Sequence, residues 1–193
     1  MSIDELLSIR VHGLRKARGH TLDALAQISG VSRSTISLIE RGQTSATAAV
    51  LGKLAKALEV PLASLFEEER SGDVAQPLAR AANQPRWQDP ATGYVRRQLS
   101  PASYPAPLEM VEVRFPPGQS VAFDHALRSQ PLHQQLWMLE GTMQLTLGDQ
   151  HWELHAGDCL AMELNQTLVF SNTGKTPARY ALALVNTEFF RSK

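Results

Sequence analysis

The feature that most constrains the fold is a change of hydrophobic period between the two halves of the chain. From residue 4 to about residue 68, apolar residues recur at three- and four-residue spacing, and no proline occurs before Pro61. From residue 93 onward, short runs such as MQLTL and ALALV alternate with a period of two. The first period indicates amphipathic helices and the second indicates half-buried strands. With 193 residues, each half is long enough to bury its own core.

Five helices are predicted in the first half. Gly19 ends the first helix, and Thr21 and Ser32 are the expected N-caps of the second and third. The fourth runs from about residue 47 to residue 58, and a short fifth begins after Pro61.

Residues 70–92 mix small, polar and proline residues without a sustained period, which predicts a linker. It would join a helical domain at 1–69 to a β domain at 93–193. Short strands with glycine-containing turns and no intervening helices indicate a sandwich or barrel in the second domain. The predicted class is therefore a two-domain α + β chain.

The segment at 22–41 has Ala26, Gly30, Ile36 and Ile39 at the fifth, ninth, fifteenth and eighteenth positions. A small residue there permits close helix crossing, glycine permits a left-handed turn, and the isoleucines anchor the third helix. In this pattern the segment resembles the helix-turn-helix of lambda-repressor-like (XRE) regulators. The resemblance implies an all-α five-helix DNA-binding domain.

The resemblance also places the third helix in the major groove of DNA. The residues expected at base edges are Arg33, Ser34 and Ser37, with Thr35 and Leu38 at the margin. Arg33 is the leading specificity candidate, since a guanidinium can pair with both acceptors of guanine. The residues expected at phosphates are Thr21, Arg10, Lys16, Arg18, Gln43 and Thr44.

The net charge of the chain is zero, but its charge is unevenly distributed. Residues 10–41 contain six basic residues and two acids, a local balance of +4. A basic face on a neutral chain suits a protein that binds DNA and leaves non-specific sites easily. In related regulators an arginine of the first helix pairs with a glutamate ending the recognition helix, so Arg15 and Glu40 are expected to form a structural ion pair.

The second half resembles a small cupin, a double-stranded β-helix of the jelly-roll class. The residues that carry this resemblance are PPG at 116–118, LWMLEGTMQLTLGDQ, and LHAGDCLAMELN followed by FSN. In metal-binding cupins the first motif supplies two histidines and a glutamate, and the second supplies a further histidine. Here the corresponding positions hold Leu, Arg, Ser and Gln at 127–130, then Gln134 and Leu168. Amide and leucine side chains are poor ligands for transition metals, so no metal or cofactor is expected.

A small-molecule pocket is still expected at the mouth of the barrel. Its predicted lining is Gln134, Leu168, Met138, Met162 and Phe170, with His125, His133 and Trp137 at the rim. Two alternatives stay open. These residues can simply fill the barrel, and His125 and His133 can recruit His151 or His155 to a metal at shifted positions.

A single cysteine, Cys159, excludes an internal disulfide, and the run DCLAME predicts that it is a small buried apolar residue. No apolar run is long enough to cross a bilayer, and the first ten residues lack the basic start of a signal peptide, so a cytoplasmic location is expected.

The resulting hypothesis is a homodimeric transcriptional repressor that binds a near-palindromic double-stranded DNA operator. Its metal-free cupin domain would sense a small metabolite. Two rivals are a metal-dependent cupin enzyme, of dioxygenase or isomerase type, with a DNA-binding appendage, and a regulator whose barrel only dimerises.

Overall fold

The computed structural model describes residues 3–60, 62–66, 76–101, 104, 106–125 and 132–185. The chain divides into two compact units. The first comprises Met1–Asp73 with Asp89–Ala91, and the second comprises Val74–Gln88 with Thr92–Lys193.

The first unit is helical. Its α-helices are α1 (Ile3–Ala17), α2 (Leu22–Ser29), α3 (Arg33–Glu40) and α4 (Ala48–Ala57). The predicted fifth α-helix is wrong in kind: Leu62–Phe66 is a 3₁₀ helix, because five residues after a proline give room for little more than one tight turn. The predicted caps are confirmed, since the side chains of Thr21 and Ser32 accept hydrogen bonds from the N–H groups of Ala24 and Thr35.

The core of the helical unit consists of apolar side chains from each of these elements, namely Leu7, Leu25, Ile36, Leu51, Leu54 and Leu65. Gly30 has φ of 66°, the left-handed conformation that the turn between α2 and α3 requires. The buried carboxylate of Asp89 accepts a 2.9 Å hydrogen bond from the N–H of Ala48 in the first turn of α4. A carboxylate at this end of a helix satisfies an amide that has no partner within the helix.

The second unit is built from antiparallel strands. They are β1 (Arg86–Gln88), β2 (Val95–Gln98), β3 (Leu108–Phe115), β4 (Ser120–Asp124), β5 (Leu132–Glu140), β6 (Thr142–Leu147), β7 (Gln150–His155), β8 (Cys159–Leu164), β9 (Thr167–Ser171) and β10 (Ala178–Val185). One sheet has the order β1-β2-β3-β10-β5-β8 and the other β4-β9-β6-β7. Strand β1 and a short 3₁₀ helix, Ala81–Asn83, lie in the stretch predicted as a linker.

The two sheets pack face to face. Phe170 of β9 stacks on Tyr180 of β10, with ring centroids 5.8 Å apart. Leu136 and Met138 of the six-stranded sheet and Leu145 of the four-stranded sheet are completely buried. Gly141 joins β5 to β6 with φ of 76°, and a Cβ there would lie 2.9 Å from the carbonyl oxygen of Pro177. Only glycine fits this turn.

The predicted burial of Cys159 is wrong, because its side chain is exposed. Strand β8 directs Leu160, Met162 and Leu164 toward the opposite sheet. Alternation therefore turns Cys159 and Ala161 outward. The run looked continuously apolar in the sequence because alanine occupies the second outward position.

The ion pair expected between Arg15 and Glu40 is confirmed. The Nε atom of Arg15 donates to Oε1 of Glu40 at 2.6 Å, and a terminal nitrogen donates to Oε2 at 2.7 Å. Each side chain is only 6% exposed. Arg15 also donates to the carbonyl oxygen of His20, and the ring of His12 lies 2.9 Å from Glu40. The pair thereby joins α1 to the C-terminal end of α3.

Replacing one member of this pair should destabilise the helical unit strongly. Arg15→Leu leaves the Glu40 carboxylate buried without its main partner, and the expected loss in the free energy of unfolding is about 3–5 kcal/mol. The double variant Arg15→Leu/Glu40→Leu should lose less than Arg15→Leu alone, because no charge stays buried. Urea unfolding of the full chain measures all three proteins, and an equal or larger loss in the double variant would contradict the assignment.

The same pair predicts a pH dependence. Burial by itself raises the pKa of Glu40, but the hydrogen bonds and charges of Arg15 and His12 outweigh it and hold the pKa below its usual value. A carboxyl with a lowered folded pKa contributes stability above its unfolded pKa of about 4.3 and loses that contribution as the pH falls through the folded pKa. The stability difference between wild type and Glu40→Gln should therefore shrink as the pH falls below about 4.

Candidate nucleic-acid interface and ligand pocket

Helix α3 presents two distinct faces. Ile36 and Ile39 are buried against the rest of the helical unit. The predicted base-contacting residues Arg33, Ser34 and Leu38 are exposed, while Ser37 and Thr35 are partly exposed. Thr35 is held by the cap, since its Oγ1 lies 2.7 Å from the Oγ of Ser32. The outward face of α3 is thus polar, apart from Leu38, and accessible along its whole length.

Arg33 is held in an ion pair that the sequence reasoning did not anticipate. Its Nε lies 3.1 Å from Oδ1 of Asp23 on α2, and both side chains are more than 60% exposed. Exposed pairs contribute at most about 1 kcal/mol, so the guanidinium can leave Asp23 at little cost. The two acids of the basic segment therefore both pair with arginines, Glu40 with Arg15 and Asp23 with Arg33.

The residues predicted at phosphates fall into two groups. Lys16, Thr21, Gln43 and Thr44 are exposed. Arg10 and Arg18 are partly buried, and the Nε of Arg10 donates to the carbonyl oxygen of Ser64 at 3.1 Å. Arg10 thus already has a structural contact within the helical unit.

The sequence reasoning missed Arg41 as a candidate. It follows α3 directly, is exposed, and its Nε donates to the carbonyl oxygen of Ser37 one turn earlier. The signal was available, because position 41 lies four residues after Ser37 and eight after Arg33 and so falls on the same helical face. Arg41 adds a positive charge at the C-terminal end of the exposed face.

The predicted pocket residues lie in three places. Met138, Leu168 and Phe170 are buried between the sheets, as part of the core of the β unit. Trp137 is 53% exposed on the outer face of β5, because alternation turns it away from Gln134 and Met138. His125 lies after β4, where its ring is 6.5 Å from that of Phe123. The structure therefore does not bring Trp137 together with Gln134.

Three predicted pocket residues do line one depression of about 490 Å³ at the ends of β5 and β8. They are His133, Gln134 and Met162, and they are joined by Leu108, Gln135, Ala161, Glu163, Ala183 and Val185. The side-chain amide of Gln134 is nearly buried and donates to the Sδ of Met162 at 3.4 Å. Polar groups over an apolar floor are suited to orienting a small organic molecule.

In the part of the chain that the structure describes, no cluster of three or more His, Cys, Asp or Glu side chains could hold a metal ion. His151 and His155 are exposed on β7, close to Thr146 and Glu153 respectively. Positions 127–130, where metal-binding cupins have two histidines, lie outside the described residues.

A buried polar cluster in the six-stranded sheet was also missed. Arg96 of β2 shares an inward face with Val113 and Tyr180, and its guanidinium lies 3.6 Å from Glu109. Gln98 donates to the same carboxylate at 2.7 Å. Burial lowers the pKa of Arg96, while the charge of Glu109 acts in the opposite direction. The alternating VRRQ of β2 was the available signal, although buried arginines are rare enough that it favoured a surface strand.

Comparison with known proteins agrees with this two-part organisation. Residues 12–65 match the family model described as Helix-turn-helix (HTH_3), and residues 111–185 match the Cupin domain model (Cupin_2). The chain is 26% identical over 181 residues to the HTH-type transcriptional regulator PuuR of Escherichia coli, covering 93% of this chain and 95% of that protein. It is 36% identical over 70 residues to the regulator SutR of the same organism, and that match spans 39% of SutR.

A solved structure shares the fold. The crystal structure of an HTH_3 family transcriptional regulator from Vibrio cholerae superposes with a TM-score of 0.72 at 24% identity, covering 95% of this chain and 97% of that one. Among the residues described here, no helix is long and apolar enough to span a membrane. The chain thus carries an HTH_3 helix-turn-helix domain followed by a Cupin_2 domain, and it is a DNA-binding transcriptional regulator.

Proposed function

We propose that this regulator is a homodimeric, cytoplasmic repressor that reads a near-palindromic operator through α3 and releases it when a small metabolite binds the cupin domain. The observation that carries the proposal is the exposed face of α3, with Arg33 at its N-terminal end and Ile36 and Ile39 anchoring the opposite side. In helix-turn-helix proteins the N-terminal residues of the recognition helix contact base edges.

Arg33 exchanges one partner for another when the protein binds its operator. In the free protein the guanidinium pairs with Asp23. On DNA it would exchange that carboxylate for the O6 and N7 atoms of a guanine, with Ser34, Ser37 and Leu38 beside it. Lys16, Thr21, Gln43, Thr44 and Arg41 would position the domain on the phosphates.

Arg33→Ala should weaken binding to an operator selected from random DNA by about 5- to 150-fold, corresponding to about 1–3 kcal/mol for a bidentate contact. The loss should disappear when the contacted guanine is replaced, because the variant no longer distinguishes that base. Fluorescence anisotropy measures both effects. Arg86→Ala is the matched control, since it removes one exposed arginine from β1 in the other unit. Equal losses in the two variants would show a general charge effect and contradict the proposed base contact.

Asp23→Asn should change selectivity and leave folding intact. Without the carboxylate, Arg33 is available to any phosphate, so affinity for random DNA should rise several-fold. The slope of the logarithm of the binding constant against the logarithm of the salt concentration should steepen by up to about one. Operator affinity should rise less, because Arg33 leaves Asp23 there in any case. Unchanged binding to random DNA, measured over a salt series, would show that Asp23 does not restrain Arg33.

For the second unit, we infer that the two sheets form the double-stranded β-helix of cupins and that the effector binds at the depression lined by His133, Gln134 and Met162. The inference is supported by the convergence of His133, Gln134, Gln135 and Glu163 on one depression of about 490 Å³. A ligand alters operator affinity only if it binds the DNA-competent and DNA-incompetent forms differently.

A thermal-shift screen with amino acids, organic acids, amines and sugars tests the effector site. A ligand at a hundredfold excess over its Kd should stabilise the protein by about 2.7 kcal/mol. Gln134→Leu should abolish the shift, whereas Gln144→Leu, on the exposed face of β6, should keep it. A shift that survives Gln134→Leu would place the ligand elsewhere. Stoichiometric iron, manganese or zinc in the purified protein would instead favour the enzyme alternative.

A further inference from the structure

The outer face of the six-stranded sheet carries an apolar patch that DNA binding does not use and that adjoins the effector depression, with which it shares Gln135 and Ala183. Outward-facing positions place Met110 on β3, Ala181 and Ala183 on β10, Trp137 on β5 and Cys159 on β8. Trp137 is 53% exposed and Met110 is 40% exposed. Tryptophan is normally well buried, and a contiguous exposed apolar patch marks an interaction site.

The patch has both a projection and a hollow. The indole of Trp137 stands beside a depression of about 390 Å³, whose other lining residues are Met110, Gln135, Gly157, Cys159, Ala181 and Ala183. Small side chains form much of the floor of this hollow. An isologous contact between identical subunits requires each surface to carry an element and its complement, so that residue i meets residue j and residue j meets residue i. A bulky indole next to a small-residue hollow meets that requirement.

The charges beside the patch balance one another. Glu112 pairs with Arg97 at 3.0 Å and with Arg179 at 3.3 Å, and Arg179 pairs with Glu140 at 2.6 Å. Two positive and two negative groups cancel within this cluster, and the outward positions of β3 and β8 add one group of each sign, Arg114 and Glu163. A second copy of the same face would therefore not be repelled, whereas a strongly charged partner would gain nothing. An apolar centre with a polar rim is the usual anatomy of a protein–protein interface.

The size of the face suits a dimer. The strands from β2 to β8 in this sheet number five, which at about 4.8 Å per strand gives a width of about 24 Å. The outward residues of β10 from Arg179 to Val185 span about 20 Å at about 3.3 Å per residue. The projected area is roughly 480 Å², and the accessible area of a surface with protruding side chains is larger. This suffices for the centre of an interface of about 800 Å² per partner.

We propose that this patch binds the same patch of a second copy of the chain, with the indole of Trp137 entering the hollow over Cys159 and Ala181 of the partner. The proposal rests on the proposed function, because a near-palindromic operator needs two helix-turn-helix domains, and it deepens that function by assigning the dimer to one face of one sheet.

Sedimentation equilibrium of the full chain, over a concentration series, tests the proposal. Trp137→Glu should weaken dimerisation at least about 30-fold, the loss expected for a central aromatic of an interface. The matched control is Leu78→Glu, which introduces the same charge at a residue that is 60% exposed and lies outside the patch, and it should dimerise like the wild type. Circular dichroism of Trp137→Glu should show the melting temperature that the wild type has at concentrations at which it is monomeric, since the side chain is largely exposed in one copy.

The single cysteine supplies a measurement that does not depend on a folded variant. Cys159 lies opposite Trp137 in the pairing of β5 with β8, the edge strand of the sheet. Because the partner's indole would cover Cys159, a maleimide should label the wild type slowly at concentrations at which it is dimeric and faster at concentrations at which it is monomeric. A wild type that is monomeric, a Trp137→Glu variant that dimerises normally, or a labelling rate of Cys159 that does not change with concentration would overturn the proposal.

Operator binding separates this outcome from failure of the proposed function. If the wild type binds its operator and Trp137→Glu still dimerises, the function stands and the assigned face is wrong. If the patch is correct, Trp137→Glu should bind a single half-site as the wild type does and lose its affinity gain on the full operator. If the wild type binds no DNA, the proposed function fails whatever its oligomeric state.

Discussion

The position of the recognition helix depends on one buried ion pair. Arg15 of α1 contacts both carboxylate oxygens of Glu40, the last residue of α3, and the two isoleucines of α3 anchor its buried face. A bidentate guanidinium–carboxylate contact fixes orientation as well as distance. The buried contacts that hold α3 lie on the side opposite its exposed face, where the Arg33–Asp23 pair contributes at most about 1 kcal/mol.

Strand alternation plays the corresponding part in the second unit. Along β5, Gln134, Leu136 and Met138 point inward while Gln135 and Trp137 point outward. One strand thus contributes to both depressions: Gln134 reaches the effector depression from the inward side of β5, while His133, Gln135 and Trp137 lie on the outward face. Gln135 and Ala183 line both depressions, so the two surfaces are neighbours on the same sheet.

The exposed face of α3 and the apolar patch differ in how their charges are arranged. On the helical unit, Asp23 neutralises Arg33 through an exposed pair that costs little to break, which suits a contact that is made and released. Beside the apolar patch, Glu112 is shared by two arginines, and the rim is already neutral before any partner arrives. On α3 the weak ion pair allows Arg33 to exchange Asp23 for DNA. Beside the apolar patch the paired charges leave no repulsion that would oppose apolar contact.

Much of this protein was determined by its sequence alone. The two caps and most strands of the β unit followed from spacing, because helix period, caps and turns depend on residues close together in the chain. The helix-turn-helix and the Arg15–Glu40 pair followed from the resemblance of the sequence to lambda-repressor-like regulators. The 3₁₀ form of residues 62–66, the exposure of Cys159 and the outward direction of Trp137 did not follow. Short apolar runs do not reveal which face of a sheet is covered, and that depends on strand pairing. The Asp23–Arg33 contact, the burial of Arg96 and the cap that Asp89 provides for α4 join residues far apart in the sequence or on different elements, so only the tertiary structure decided them.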